Sequence, residues 1–237
     1  MFLDVVEWEN FTKKNFLTRY LHKNKYKTII KILENNKTDK ITILDLGCGF
    51  ADTFKFLNKI LDVDYTGFEK NIKIFEITKD RYKNFNNFKI VNQDVTSLKD
   101  FNHMNFDIII MFDLLEHIKL PNRFKLLEIV SNINFKKLLI NVPNEVGFAI
   151  FIKNIGSKLM RYDRDWEYSN HDTFNSIFRK IEKMPPHEDT HKGFDWYVLK
   201  YLLHYHFKIK KIHTLFNSKI PKFISPSIFF ECEKRQT

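Results

Sequence analysis

The stretch Ile41–Leu57, ITILDLGCGFADTFKFL, decides how this chain folds. Its first six residues are almost continuously apolar, as in a strand buried on both faces. Gly47, Cys48 and Gly49 then form a turn, and a helix starts near Asp52. Glycine accepts positive φ and has no Cβ, so the backbone can turn sharply and a ligand can come close to it. A helix beginning beyond such a turn points unpaired N–H groups at whatever lies over it. Strand, glycine turn and helix together make a nucleotide-type site.

Outward from this stretch, strands and helices alternate. DYTGFEK (Asp64–Lys70) reads as a second strand ending in Glu69, followed by a helix near Ile72 to Tyr82. FKIVNQD is a third strand ending at Asp94, and FDIIIMFD a fourth, from Phe106 to Asp113. LLEHI follows, then a helix from about Pro121 to Asn132, with the proline in the first turn. A fifth strand runs from Lys136 into Pro143. Apolar strands alternating with helices predict a parallel sheet covered on both faces, a doubly wound α/β fold.

Residues 144–192 interrupt the rhythm with aromatic and charged residues (RYDRDWEYSNHDTF) and the pair Pro185–Pro186. A long insertion of this kind is expected to be a lid or substrate-binding piece. The pattern resumes with a helix, Phe194 to Tyr205. Strands Phe207–Leu215 and Ser227–Glu233 follow, on either side of the Pro221 turn, and suit a terminal antiparallel hairpin. Before the core, residues 7–36 read as helical, with Phe11, Tyr20, Leu21, Ile29, Ile30 and Leu33 on an apolar side and Lys23, Lys27 and Lys31 in a basic stripe. The expected organisation is an N-terminal helical cap (1–36) and one domain (37–237) carrying 144–192 as its inserted lid.

Composition excludes several classes. At 237 residues, 43% hydrophobic and 16% aromatic, the chain has material for one large packed domain and is unlike a disordered one. Its apolar runs are too short to span a bilayer. The acidic N-terminus lacks an apolar signal core, which predicts a cytoplasmic protein. Cys48 and Cys232 provide neither a disulfide framework nor paired metal-ligand spacing. The net charge of +10 would suit nucleic acid or another anionic partner, but the lysines are spread along the chain and fit a compositional origin better.

Ligands of open α/β sheets lie over the carboxyl ends of the strands. The polar residues there are Asp45 with Gly47 and Gly49, Glu69, Asp94 and Asp113. Glu69 lies 20 residues beyond Gly49, where a carboxylate can accept both hydroxyls of a ribose. A dinucleotide turn would read G-x-G-x-x-G, whereas Gly47-Cys48-Gly49-Phe50-Ala51-Asp52 lacks the third glycine. Asp52 would also repel a pyrophosphate at the helix start. A cofactor with a ribose and no phosphate fits better, and S-adenosylmethionine is one.

LDLGCGFAD, GFEKN, NQDV, FDIIIMFDLLEHI and INVPNEVGF, in this order, resemble the class I S-adenosylmethionine-dependent methyltransferases over about residues 40–215. They are most similar to the branch of small-molecule, quinone-pathway and glycan O-methyltransferases. The resemblance implies a seven-stranded sheet with a reversed last strand. It implies Asp45, Gly47 and Gly49 at the methionine end of the cofactor and Glu69 on the ribose. Asp94 and Val95 would sit at the adenine edge and Asp113 near the transferring methyl. Leu115 to Ile118 would shape the floor between cofactor and acceptor. Ala51 stands where the family often has a third glycine. Val142, Pro143 and Asn144 match the family's VPN.

A hydroxyl acceptor wants a base, and histidine is the usual one near neutral pH. His117 is the first candidate because it follows the fourth strand; a structural histidine bonded to backbone is the equal alternative. Glu116 could orient it or cap the next segment. His191 precedes the helix that closes over the acceptor pocket in related enzymes. His171, Trp166 and Tyr168 could form a ring-stacking wall, with lid core the more ordinary use. His187-Glu188-Asp189-Thr190-His191 matches HExxH. That zinc pattern needs a continuous helix, though, and prolines precede it and Gly193 follows, so no metal site is expected. The expected function is methyl transfer to a small-molecule or saccharide acceptor, at oxygen. Methylation of RNA or protein is the alternative, and a non-catalytic binding role the remaining one. The adenine and glutamine N-methyltransferases carry an NPPY-like motif after the fourth strand, where this chain has FDLLEH.

Overall fold

The structure, a computed structural model, describes residues 26–27, 29–33, 40–98, 104–159, 168–184, 191–214 and 221–235. Among these, seven strands form one sheet: β1 (Ile41–Leu46), β2 (Val63–Glu69), β3 (Phe88–Asn92), β4 (Asn105–Phe112), β5 (Asn134–Pro143), β6 (Phe207–Thr214) and β7 (Ser227–Lys234). Their order is β3-β2-β1-β4-β5-β7-β6. β1 to β5 run parallel, and β7 is antiparallel to both its neighbours, β5 and β6. The terminal hairpin therefore folds back, so that its second strand enters between β5 and its first.

Six helices are described beyond residue 40: α1 (Asp52–Leu57), α2 (Ile72–Tyr82), α3 (Leu120–Asn132), α4 (Phe148–Leu159), α5 (Asn170–Ile177) and α6 (Trp196–His206). The sheet separates two apolar layers because alternate strand residues face opposite ways. Leu44, Ile109, Met111 and Ile140 pack with Leu126 and Leu127 of α3 and Leu199 and Leu203 of α6. Ile43, Ile108, Ile110 and Leu139 pack on the other side with Phe54 and Leu57 of α1 and with Ile29 and Leu33. Burying each such side chain contributes about 1.5–3 kcal/mol.

The differences from the sequence reading are at element ends and in the insertion. β3 stops at Asn92, because Asp94 turns out of the strand to cap a 3-10 turn over Val95–Ser97. β4 stops at Phe112, and Asp113 takes a left-handed φ of 48°. α6 starts at Trp196 and not at Phe194, since the Asp195 carboxylate accepts the N–H of Tyr197 at 2.8 Å. Residues 144–192 hold α4, α5 and a 3-10 turn over Ile181–Lys183. α5 begins with a reciprocal capping box between Ser169 and Asp172. No described helix is long and apolar enough to cross a membrane.

Candidate active site

The glycine turn is stitched to the end of β2, with the N–H groups of Gly47 and Cys48 both donating to the Phe68 carbonyl at 2.9 Å. Gly47 and Gly49 have φ of 76° and 55°. A Cβ on Gly47 would come within 2.8 Å of Leu114 Cδ1, and one on Gly67 within 2.7 Å of Cys48 Sγ. Beside Gly49 the space is open, with nothing within 4 Å of where a Cβ would stand. Ala51 also has a left-handed φ of 53°. This is the physical reason a glycine suits that third position, since an L side chain there costs roughly 1–2 kcal/mol.

Glu69, nearly buried, lies where β2 meets this turn. Its two oxygens accept the N–H groups of Gly49 at 3.1 Å and Asn71 at 2.7 Å. A carboxylate offers about four acceptor positions, so two remain for hydroxyl donors. Asn71 in turn caps α2. The turn's open side and this half-used carboxylate fit a ribose-bearing ligand without phosphate. Asp45 is 2% exposed and accepts the Tyr65 hydroxyl at 2.6 Å. Asp94 accepts the N–H and hydroxyl of Thr96 at 2.8 and 2.7 Å. Burial pushes the Asp94 carboxyl up, but these bonds outweigh it and hold it below the usual range. Val95 beside it is buried. Asp113 is exposed at the end of β4, its N–H donating to Asn141 at 3.0 Å. Tyr26 reaches the same mouth. Burial, then the charges of Asp52, Asp113 and Asp45, push its phenol well above its ordinary pKa.

The three candidate proton-handling residues come together. Glu116 and His117 lie in the 3-10 turn Leu115–His117 just beyond β4, and His191 lies in the bend before α6. The Nε2 atoms of His117 and His191 are 3.3 Å apart, with ring centroids separated by 4.8 Å. One ligand atom from each of Glu116, His117 and His191 lies within 4.8 Å of the others. Glu116 is fully buried while His117 is exposed. Leu114, pressed against Gly47, ties this turn to the glycine turn. The tilted ring pair can share a proton or present two nitrogens to one ligand.

Residues without an earlier signal complete the surroundings. Burial pushes the Arg123 guanidinium down to about 10, against the opposing charge of Glu116, and its Nη2 donates to the Ile118 carbonyl at 2.9 Å. Glu145, 1% exposed, has Oε1 at 4.0 Å from His191 Nδ1 and pairs with Lys153. The His191 carbonyl accepts the N–H of Phe194 at 3.1 Å and the Tyr168 hydroxyl at 3.4 Å, and Lys192 pairs with Asp172 at 2.6 Å. A cavity of about 580 Å³ is lined by Ile118, Arg123, Arg179, Gly193, Phe194 and Asp195 among others. Ile118 and Gly193 closely follow His117 and His191 in the chain, while Glu116, His117 and His191 themselves do not line it. Sequence spacing could have hinted only at Arg123, a charge on the inward side of α3.

Other candidates fall elsewhere. His171 is exposed on α5 beside Asn175, while the Tyr168 ring is buried in a small core with Ile150 and Met184 and only its hydroxyl reaches the His191 carbonyl. Trp166, Lys23 and His187 to Thr190 lie outside the described residues, so of the HExxH match only His191 is described. Lys27 and Lys31 are exposed.

Residues 43–133 match a family described as a methyltransferase domain. Two methyltransferases are among the solved structures that share the fold. Magnesium protoporphyrin IX methyltransferase from Synechocystis PCC 6803, with bound SAH, has a TM-score of 0.62 and 13% identity over 96% of this chain and 93% of that one. The CurJ carbon methyltransferase has a TM-score of 0.63 and 12% identity over 98% of this chain and 59% of that one. Ribosomal RNA small subunit methyltransferase A of Streptococcus equi subsp. zooepidemicus is 27% identical over 127 residues, 51% of this chain and 43% of the relative. The chain thus spans less than half the length of the curated relatives it matches. The sheet order and the reversed β7 are those of the class I S-adenosylmethionine-dependent methyltransferase fold. Residues 43–133 carry the methyltransferase-domain match, and the chain as a whole has that fold.

Proposed function

We propose that the protein transfers the methyl group of S-adenosylmethionine to a hydroxyl oxygen of a small-molecule or saccharide acceptor. The observation that carries this reading is the gathering of Glu116, His117 and His191 beyond β4, beside the glycine turn. Asp45, Gly47 and Gly49 would hold the methionine end of the cofactor, Glu69 its ribose, Asp94 and Val95 its adenine, and Asp113 would lie near the methyl. When bound, the cofactor supplies an electrophilic methyl: the C–O bond forms as the C–S bond breaks, its electron pair staying on sulfur. The chain must then orient the acceptor and relieve it of a proton. The ring pair would take that role, and the cavity lined in part by residues that follow both histidines in the chain is within the size range of small-molecule sites.

The test is transfer of labelled methyl from the cofactor to a panel of phenols, alcohols and saccharides. Glu69→Ala should lose cofactor affinity by calorimetry. His117→Ala should keep that affinity and lose turnover. Transfer to amines but not hydroxyls would reject the oxygen assignment. The ribosomal RNA relative and the net charge of +10 favour a second reading, methylation of RNA. It predicts label in RNA and a binding affinity that falls steeply with salt. A chain that binds no cofactor at all would instead be a non-catalytic member of the fold.

A further inference from the structure

We propose that Glu116, His117 and His191 form a binding site for a first-row divalent cation, which holds the acceptor oxygen. The inference rests on the hydroxyl-transfer reading for its chemical purpose, but cation binding can be tested without it. Two nitrogen ligands at about 2.1 Å from a metal, in tetrahedral or adjacent octahedral positions, lie about 3.0–3.4 Å apart. The two Nε2 atoms are 3.3 Å apart. The full set lies within 4.8 Å, so its widest pair would close by about 1.5 Å to reach adjacent positions around an ion, a side-chain rotation for Glu116. A simple hydrogen bond between the rings would account for the His117–His191 contact. It makes no use of the fully buried Glu116 carboxylate, which has a ligand atom within 4.8 Å of both imidazoles.

The electrostatics point the same way. A buried carboxylate is expensive unless positive charge opposes it. Arg123 supplies part of that charge, and a divalent ion would supply more at the ring side. Two imidazoles with one carboxylate favour Mn²⁺, Co²⁺ or Zn²⁺ over Mg²⁺ or Ca²⁺. The cluster is closed behind by Glu116 and open in front at His117, which leaves coordination positions for an oxygen ligand, as in catalytic metal sites. Behind His191, the Glu145 carboxylate lies near Nδ1 in the position of an outer-shell group that orients a ligand. The sequence alone leads to the expectation of no metal in the chain, weighed there on histidines four apart on one helix. This cluster takes only His191 from that pattern, and its partner His117 lies 74 residues away.

Bound to the ion, an acceptor hydroxyl becomes more acidic. Its O–H bond breaks and the proton passes to water. The electron pair stays on the oxygen that attacks the methyl carbon, and sulfur keeps the pair of the broken C–S bond. Neither histidine then has to take the proton.

The experiment is Co²⁺ titration of the chelator-stripped full chain, followed by visible absorption and calorimetry. The result expected is one ion per chain with the bands of imidazole-ligated Co²⁺, competed by Zn²⁺. His117→Ala, His191→Ala and Glu116→Gln should each weaken binding tenfold or more, with circular dichroism reporting that each is folded. Glu69→Ala should titrate as the unaltered protein does. Absence of saturable binding at millimolar Co²⁺, or an unchanged midpoint in the His117→Ala/His191→Ala double variant, overturns the site. Methyl transfer that survives exhaustive chelation overturns its catalytic role while leaving the hydroxyl-transfer reading intact. Cation binding without any methyl transfer to hydroxyls has the opposite meaning.

Discussion

At the scale of single residues, the carboxylates at the strand ends differ in how the protein already uses them. Glu69 accepts two backbone N–H groups and retains acceptor capacity. Asp94 spends one oxygen on Thr96. Asp45 is the most buried of the three, and the Tyr65 hydroxyl sits on its Oδ2 at 2.6 Å. Burial, then the neighbouring Asp45 charge, push the Tyr65 phenol well above its ordinary pKa, so it stays a donor throughout the accessible pH range. Tyr65→Phe keeps the ring's packing and removes that donor from a buried charge. Such a loss costs roughly 1–3 kcal/mol. Urea denaturation should show that loss of stability; a variant as stable as the parent would mean that Asp45 finds an equivalent partner. The pairing has no local signature. It arises because Asp45 pairs in register with Gly67, which sets Tyr65 two residues back on the same face of β2.

At the scale of elements, the sheet's amino edge is fastened by Asp107. Its Oδ2 accepts both the N–H and the hydroxyl of Thr42 at 2.8 Å, and its Oδ1 pairs with Lys136 at 2.6 Å. Three strands, β1, β4 and β5, are thus joined at one carboxylate. Burial pushes its pKa up, yet the bonds from Lys136 and Thr42 outweigh it and hold it below the ordinary carboxylate value. A depressed folded pKa means that the stabilisation is full above the unfolded value and is lost as pH falls through the folded one. Asp107→Asn should therefore destabilise by about 1–3 kcal/mol at pH 7, with the difference shrinking in acid below about pH 4. Denaturation at both pH values checks this, and a constant difference would count against the charge. The strands themselves were legible because apolar runs and glycine turns are local. Helix ends moved where side chains such as Asp195 cap them. The candidate site was legible in pieces: Glu69 by spacing, His117 by following β4, His191 by preceding α6. That the two histidines face each other was not. His191 is held by Phe194, Tyr168 and the Lys192–Asp172 pair, and the insertion that supplies two of these follows no regular pattern.

At the scale of the whole molecule, the two ends of the sheet divide the work. The amino edge carries the Asp107 fastening, and the carboxyl edge carries the glycine turn, Glu69 and the Glu116–His117–His191 cluster, as in other open α/β sheets. The groups proposed to face the cofactor belong to different strands: Asp45 to β1, Glu69 to β2 and Asp113 to the end of β4. A ligand touching all three would couple those strands and be bound only by the folded chain. By mass action, S-adenosylhomocysteine at a hundred times its dissociation constant should add about 2.7 kcal/mol to the unfolding free energy. For a chain of this length each kcal/mol moves the melting temperature by about 2–4 °C, so a rise of about 5–10 °C is expected. Glu69→Ala should abolish most of that rise, and NAD should give none, because the turn offers its pyrophosphate Asp52 in place of a third glycine. The readout is a thermal melt with and without each nucleotide. An equal shift with NAD, or no shift with millimolar S-adenosylhomocysteine, would mean that the glycine turn and Glu69 do not select this cofactor in the way their geometry indicates.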